Sequence, residues 1–493
     1  MKLPLFLLAG LCSALAATAA ERKPNIIVVM PDDVGYGDFA CHGNPIIKTP
    51  AVDAFWKESV RFTDFHVSLT CAPTRSALLT GRHEFKNGVT HTILERERLT
   101  PKATTLAQVL KASGYATGIF GKWHLGDEAE YQPHRRGFDE VFIHGAGGIG
   151  QTYPGSCGDA PGNMYDDPAI LHNGVFVKTK GYCTDLFFRH AIEWMDEKLD
   201  KGTPFFAYIT PNAAHGPLQC PAGYEQHYTD KVPENEAKFY GMIENIDDNF
   251  GAMLGKLEEW GIARNTLVIF LTDNGGTAGT TIFNAGMRAQ KGTPYQGGTR
   301  VPSLWRWPAK FAGGRDVAAL TAHMDIFPTL GEFLGLTWSG EVKQQVEGRS
   351  LVPLLVKAGA EWPDRTLVTH VGRWPKGKME EWKYRQCSIR DARFTLVNNA
   401  ELYDLQADPG EKTNVLDAHP EVVTKLRAAY EQWWKDVQPL QVNENAVGPK
   451  VNPFKELYWK QFGGGPDAAL RKFMDPATTN FGEGGRGKNP PKD

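Results

Sequence analysis

Four short apolar runs punctuate the first three hundred residues, and each stops at a polar cluster. Residues 25–30 (NIIVVM) run into Pro31, Asp32 and Asp33, and residues 115–120 (YATGIF) run into Gly121, Lys122, Trp123 and His124. Residues 205–210 (FFAYIT) lead to Pro211, Asn212 and then His215, while 266–271 (TLVIFL) lead to Thr272, Asp273, Asn274, Gly275 and Gly276. These runs are rich in β-branched and aromatic residues and do not alternate with polar ones. That pattern predicts strands buried on both faces of a sheet. Between them the apolar period lengthens to that of helices, at 104–113 and 242–260. Alternating strands and helices predict an α/β fold with a large, mostly parallel sheet sandwiched by helices. Ligands of such sheets bind beyond the carboxyl ends of the strands. Asp32, Asp33, Lys122, His124, His215, Asp273 and Asn274 are therefore expected to converge from distant parts of the chain.

The texture changes after about residue 365. Residues 385–397 and 401–415 predict strands and a turn, and 420–437 a helix. The expected organisation is a catalytic domain over 21–365 and a smaller C-terminal α+β subdomain over 366–440 containing an antiparallel sheet. An extension over 441–493 follows, and its Gly-, Pro- and charge-rich end is expected to be disordered. Residues 1–20 have a basic start at Lys2, an apolar run and small residues at 17–20, the pattern of a cleaved signal peptide. The run is shorter than the about 20 apolar residues a membrane span needs. The product is expected to be exported without a membrane anchor, to a bacterial periplasm or the medium.

Export changes how the cysteines are read. Beyond Cys12 there are Cys41, Cys71, Cys157, Cys183, Cys220 and Cys387, with no CxxC pair and no zinc-like spacing. Cys157 and Cys183 bracket a Gly-rich excursion and are the first candidates for a disulfide, though spacing alone does not fix pairing. The formal net charge of −3 offers no basic surface for nucleic acid, and none is expected as a partner.

Candidate chemistry follows from the strand ends. Asp32, Asp33, Asp273 and Asn274 offer hard oxygen donors suited to Ca²⁺ or Mg²⁺ rather than zinc, although such pairs also form turns. Lys122, His124, His215 and Lys291 lie in Gly- or Pro-flanked loops, where cations can bind an oxyanion and histidines can move protons. The set points to metal-assisted cleavage of a sulfate or phosphate ester, and it lacks a nucleophile. Cys71, in the segment SLTCAPTRSALLTGR, supplies a candidate. A helix is predicted to begin around Pro73, and its N-terminus together with Arg75 would stabilise negative charge at position 71.

The segment CAPTR at 71–75, continued by SALLTGR, resembles the signature of the type I, formylglycine-dependent sulfatases, an arylsulfatase-like family of the alkaline phosphatase superfamily. The resemblance extends from PNIIVVMPDD through GKWHLG and LTDNGG to ELYDLQADPGEKTN. It implies that a maturation enzyme converts Cys71 to Cα-formylglycine, with Pro73 and Arg75 in the recognition tag. It implies Asp32, Asp33, Asp273, Asn274 and the modified residue 71 as ligands of Ca²⁺, with Mg²⁺ as the alternative. Arg75, Lys122 and His124 then orient and activate the formylglycine, and His215 and Lys291 hold the sulfate and assist the leaving oxygen. The implied mechanism is attack on sulfur by the gem-diol, loss of the alcohol, and release of inorganic sulfate as His124 helps deprotonate the second hydroxyl. One departure stands out: Gln296 replaces the glutamate that commonly precedes the following pair of glycines in the family.

The expected substrate is a sulfate ester on a carbohydrate. The excursion at 144–167 and the aromatic-basic segment at 372–385, with Trp374, Trp382 and Arg385, are candidates for a sugar-binding rim. Other readings are a phosphodiesterase or phosphonate monoester hydrolase of the same superfamily, or a non-catalytic sulfated-glycan binder. A binder would have no use for a modification signal.

Overall fold

The computed structural model describes residues 23–468 apart from 152 and 467, so the expected signal peptide and the end of the C-terminal extension lie outside the described residues. In the first half the strands are β1 (Asn25–Val29), β2 (Val60–Phe62), β3 (Phe65–His66), β4 (Ala116–Lys122), β5 (Glu140–His144), β6 (Ala169–His172), β7 (Val175–Lys178) and β8 (Phe205–Thr210). The second half adds β9 (Thr266–Leu271), β10 (Ser303–Arg306), β11 (Arg315–Val317), β12 (Thr321–Ala322), β13 (Leu367–His370), β14 (Cys387–Arg390), β15 (Phe394–Val397) and β16 (Glu401–Asp404). Ten of them form one sheet in the order β11-β2-β10-β9-β1-β8-β4-β5-β6-β7. The four apolar runs are the adjacent strands β9, β1, β8 and β4, all parallel. Antiparallel pairs appear toward the edges, at β10 with β9 and β2 and at β5-β6-β7.

Alternation along β1 is real but invisible to hydropathy. Ile26 and Val28 pack into one core with Leu106, Leu110, Phe327 and Leu330, whereas Ile27 and Val29 pack into another with Phe187, Phe239 and Ile243. Helices Leu106–Ala112 and Ile326–Phe333 therefore cover one face, and Cys183–Asp200 and Glu234–Glu259 cover the other. The helix predicted over 104–113 is closed by a reciprocal cap. The Gln108 amide donates to Thr105 Oγ1 at 3.2 Å, and the Thr105 amide donates to Gln108 Oε1 at 2.8 Å. Such a cap satisfies two backbone donors that a helix start leaves open.

The second sheet is antiparallel, β13-β14-β15-β16, and buries Ile389, Leu396 and Leu402 against Leu426, Tyr430 and Trp434 of helix Pro420–Val437. The chain then returns to the large sheet, where helix Pro453–Phe462 places Phe454 edge-on to Phe176 of β7, ring centres 6.1 Å apart.

The cysteine expectation is corrected. All six described cysteines are free. Cys157 Sγ accepts the Gly126 amide at 3.2 Å, and the Cys183 thiol donates to Asn212 Oδ1 at 3.3 Å. Each thiol is buried with a polar partner of its own, and neither reaches the other.

Candidate active site

The helix Cys71–Thr80 is buried at every position and begins at Cys71 itself, two residues before the predicted start. Extended Thr70 precedes it, so residue 71 lies in the first turn, where backbone amides lack intrahelical acceptors and the helix dipole favours negative charge. One turn on, Arg75 reaches under the sheet edge. Its Nη2 donates to Asp273 Oδ2 at 2.8 Å and lies 3.6 Å from Asp32 Oδ2, and its Nη1 donates to the Lys122 carbonyl at 3.1 Å. Lys291 Nζ closes the other side, donating to Cys71 Sγ at 3.4 Å.

The strand ends deliver the carboxylates. Because β1 and β9 run parallel in register, the loops after Val29 and Leu271 emerge side by side. Asp33 takes a left-handed backbone (φ 61°), and its amide donates to Asp273 Oδ1 at 3.2 Å. Asp33 Oδ1 accepts Asn274 Nδ2 at 3.0 Å and the Lys291 ammonium, while Asp32 Oδ2 accepts the Lys122 ammonium. One donor atom each from Asp32, Cys71 and Asp273 lie within 4.8 Å of one another, as do those of Asp33, Cys71 and His215. Cys71 is the member common to both groups.

This donor set fits a hard divalent cation. Asp32 Oδ1 and Asn274 Oδ1 are buried and have no hydrogen-bond partner in the protein, an expensive state for a polar atom unless something else coordinates it. Burial, with Asp273 and Cys71 nearby, pushes the Asp32 carboxyl well above its usual range despite Lys122. Burial acts the same way on Asp33, but Lys291, His215 and Lys122 outweigh it and hold that carboxyl low. A cation at the shared oxygens would relieve the repulsion between Asp32 and Asp273.

The two histidines are held by different ring nitrogens. His124 Nε2 faces two acceptors, the Thr92 carbonyl and Glu97 Oε2, each at 2.9 Å, so that nitrogen carries the hydrogen. Its Nδ1 is buried without a hydrogen-bond partner in the protein. Burial lowers the His124 pKa and keeps the ring neutral. His215 Nδ1 donates to the Gly216 carbonyl at 2.8 Å, which leaves Nε2 facing Asp33 Oδ2 at 3.8 Å. Both rings lie against glycines of the 144–167 excursion. A Cβ on Gly148 would stand 2.6 Å from His215 Nδ1, and one on Gly147 would stand 3.0 Å from His124 Cε1. Only glycine permits this close approach.

Above these groups opens a cavity of about 450 Å³. Cys71, Asp33, His124, His215 and Lys291 form part of its lining, and His91, Gln151, Tyr153 and Arg373 contribute from the surrounding loops. All ten residues singled out from the sequence therefore belong to one connected constellation. The reading of the rim needs correction. Trp374 is 1% exposed, packed against Phe85 and Trp434 with its Nε1 donating to Glu444, and so offers no face to a sugar. Trp382 and Arg385 are not among the cavity-lining residues. Its neighbour Arg373 is, with Nη2 donating to Thr92 Oγ1 at 3.2 Å. Glu97, which orients His124, sits in LERERLT, where no pattern distinguishes it from a surface charge.

At Gln296 the structure supplies another carboxylate from the second sheet's side. Glu411 Oε2 accepts the Gln296 amide at 2.7 Å, and burial raises the Glu411 pKa to about 7. Gln296 Oε1 in turn accepts Arg390 Nη1 at 3.4 Å.

Comparison with known proteins agrees with the geometry. The sulfatase family model matches residues 24–336, and that of the N-sulphoglucosamine sulphohydrolase C-terminal region matches 290–436. The chain is 30% identical to bovine (Bos taurus) arylsulfatase A over 85% of its own length and 89% of that protein. It is also 30% identical to rat (Rattus norvegicus) N-acetylgalactosamine-6-sulfatase, over 70% of its own length and 68% of the relative. The crystal structure of Ps i-CgsB, also solved with k-i-k-neocarrahexaose, superposes with a TM-score of 0.74 at 26% identity, covering 89% of this chain and 97% of that one. With the matched region spanning most of the large sheet and every strand-end cluster, the chain belongs to the sulfatase family, the type I sulfatases of the alkaline phosphatase superfamily, and is a sulfuric ester hydrolase.

Proposed function

We propose that the protein is an exported, formylglycine-dependent sulfatase that removes sulfate from a sulfated carbohydrate. The observation that carries this reading is the meeting of Cys71 with Asp32, Asp33, Asp273 and Lys291 at one sheet edge. Cys71 Sγ stands where the formylglycine oxygens would be after maturation. Asp32, Asp33, Asp273 and Asn274, with residue 71, would hold Ca²⁺, which would polarise a sulfate oxygen. Hydrated, the aldehyde would supply a nucleophilic oxygen and a second hydroxyl. Arg75 fixes the carboxylates around residue 71, and Lys122 and Lys291 offset the charge of the bound ester. His215 donates a proton from Nε2 to the departing sugar oxygen. His124 accepts one at Nδ1, with Glu97 holding the ring in the tautomer that leaves this nitrogen free.

The same reading divides the chain into a catalytic unit over 21–365, a subdomain over 366–440 and an extension. None of the helices of the described residues is long and apolar enough to cross a membrane. A carbohydrate is favoured because the cavity is open and polar, with Gln151, Tyr153 and Arg373 available to hydroxyls and anionic groups. Two of the similar proteins are, by name, a sugar sulfatase and a structure holding an oligosaccharide.

The test is turnover by protein matured with a formylglycine-generating enzyme. It is expected to hydrolyse nitrophenyl sulfate and at least one member of a panel of sulfated saccharides, faster than the matched phosphate esters, and its residue-71 peptide is expected to carry an aldehyde. Faster phosphate than sulfate hydrolysis would move the assignment to the phosphodiesterase class, and no turnover with an unmodified thiol would favour a binder. Arg373→Ala is expected to raise KM for a sulfated oligosaccharide about 10-fold, through loss of a charged hydrogen bond of about 1.4 kcal/mol. It should change kcat little and leave nitrophenyl sulfate, too small to reach the rim, unaffected.

A further inference from the structure

We infer that Glu140, His172 and His190 form a second metal site, for Zn²⁺ or a similar borderline divalent ion, outside the catalytic cavity. Glu140 opens β5 and is in register with Gly118 of β4, whereas Lys122 at the catalytic end pairs with His144. The two centres are thus separated by about 13 Å along the strands.

The donors come from three rigid elements. Glu140 lies on β5, His172 ends β6, and His190 projects from helix Cys183–Asp200. Glu140 Oε1 lies 2.7 Å from His172 Nε2 and 2.9 Å from His190 Nε2, and all three atoms fall within 4.8 Å of one another. Tetrahedral zinc holds nitrogen and oxygen ligands at ~2.0–2.2 Å, which puts neighbouring donors ~3.3 Å apart. Separating these donors by about half an ångström would therefore admit the ion. Two imidazoles and a carboxylate suit zinc far better than calcium. Side-chain exposures of 33% and 24% for the histidines and 17% for the carboxylate leave a path in and a fourth position for water.

The surroundings hold this arrangement in place. The His190 ring stacks on Phe142 at 4.2 Å, and His172 packs edge-on to both Phe142 and His190 at 5.6 and 4.8 Å. Asn173 turns the β6–β7 hairpin in a left-handed conformation (φ 48°). Its Oδ1 accepts the Val141 amide at 2.9 Å, and its Nδ2 donates to Glu140 Oε2 at 3.3 Å. Glu193 Oε2 stands 4.0 Å from His190 Nδ1, on the side away from the donors, where a carboxylate can orient a metal-bound imidazole. A bound ion would tie β5, the β6–β7 hairpin and the long helix together, just after the glycine excursion that covers the catalytic histidines.

The experiment uses tag-free, chelator-stripped full-length protein, titrated calorimetrically with ZnCl₂ in excess Ca²⁺ to occupy the oxygen-donor centre. The wild type is expected to bind one zinc per chain at micromolar or lower Kd, with a rise in melting temperature. His172→Gln and His190→Gln should each weaken binding at least 10-fold without changing turnover of nitrophenyl sulfate measured in Ca²⁺ alone. Glu140→Gln, which keeps the side-chain shape, gives the same readout should a histidine variant fail to fold. Wild type that binds no zinc, or binds it as the variants do, would overturn the proposal. In that case the cluster is two imidazole N–H groups sharing one carboxylate.

Discussion

Cys71→Ala is expected to abolish turnover of nitrophenyl sulfate, lowering kcat/KM by at least about 10³-fold, or about 4 kcal/mol of transition-state stabilisation. The fold should survive. Residue 71 is 2% exposed, and its replacement removes one buried sulfur beside the Lys291 ammonium. That change costs about 1 kcal/mol, typical of a point substitution, so a loss of activity cannot be charged to unfolding if the melting temperature shifts by only a few degrees. Cys71→Ser is the sharper companion. It nearly preserves shape and offers one hydroxyl at the same helix start, but on the proposed formylglycine mechanism it lacks the second oxygen needed to clear the sulfated enzyme. Continued turnover is therefore not expected from serine either. Steady-state kinetics beside thermal melting on the same preparations would decide the point. Retention of more than a tenth of the activity by the alanine variant would remove Cys71 from the chemistry.

That prediction was available from the sequence because strand ends are legible. Asn25–Val29, Ala116–Lys122, Phe205–Thr210 and Thr266–Leu271 are long, continuous apolar segments, and their parallel pairing brings the loops after them to a common edge. The outlying strands were not legible. Val60–Phe62 and Arg315–Val317 span three residues each, too few to show any period, and their pairing is fixed by tertiary contact. Helix Cys71–Thr80 is buried on all sides, so it has no polar stripe to mark its start. Proline at the third position drew the expected boundary inward. At the rim, aromatic character pointed to Trp374, but a large indole gains more from the core, and the polar neighbour Arg373 was left facing the cavity. Cys157 and Cys183 looked like partners only because they flank an insertion. The insertion folds over His124 and His215, and the two thiols end in separate polar surroundings.

His215→Ala is expected to separate substrates by their leaving groups. The ring has its Nδ1 committed to the Gly216 carbonyl and lines the cavity, with Nε2 on the side of Asp33. On the proposed mechanism a proton carried there goes to the ester oxygen that leaves. Burial, with Lys291 nearby, lowers the His215 pKa to about 3 despite Asp33, so protonation of the ring depends on the negative charge that an arriving sulfate ester brings. An alkoxide from a sugar is a poor leaving group and needs that proton, so the variant should lose about 10²- to 10⁴-fold in kcat on a sulfated saccharide. Nitrophenolate leaves with little help, so nitrophenyl sulfate should lose about 10-fold or less, from weaker binding of the sulfate. A plot of log kcat against leaving-group pKa is then expected to be steeper for the variant than for the wild type. Parallel lines would mean that His215 only binds the sulfate, and the proton would have to come from elsewhere in the cavity.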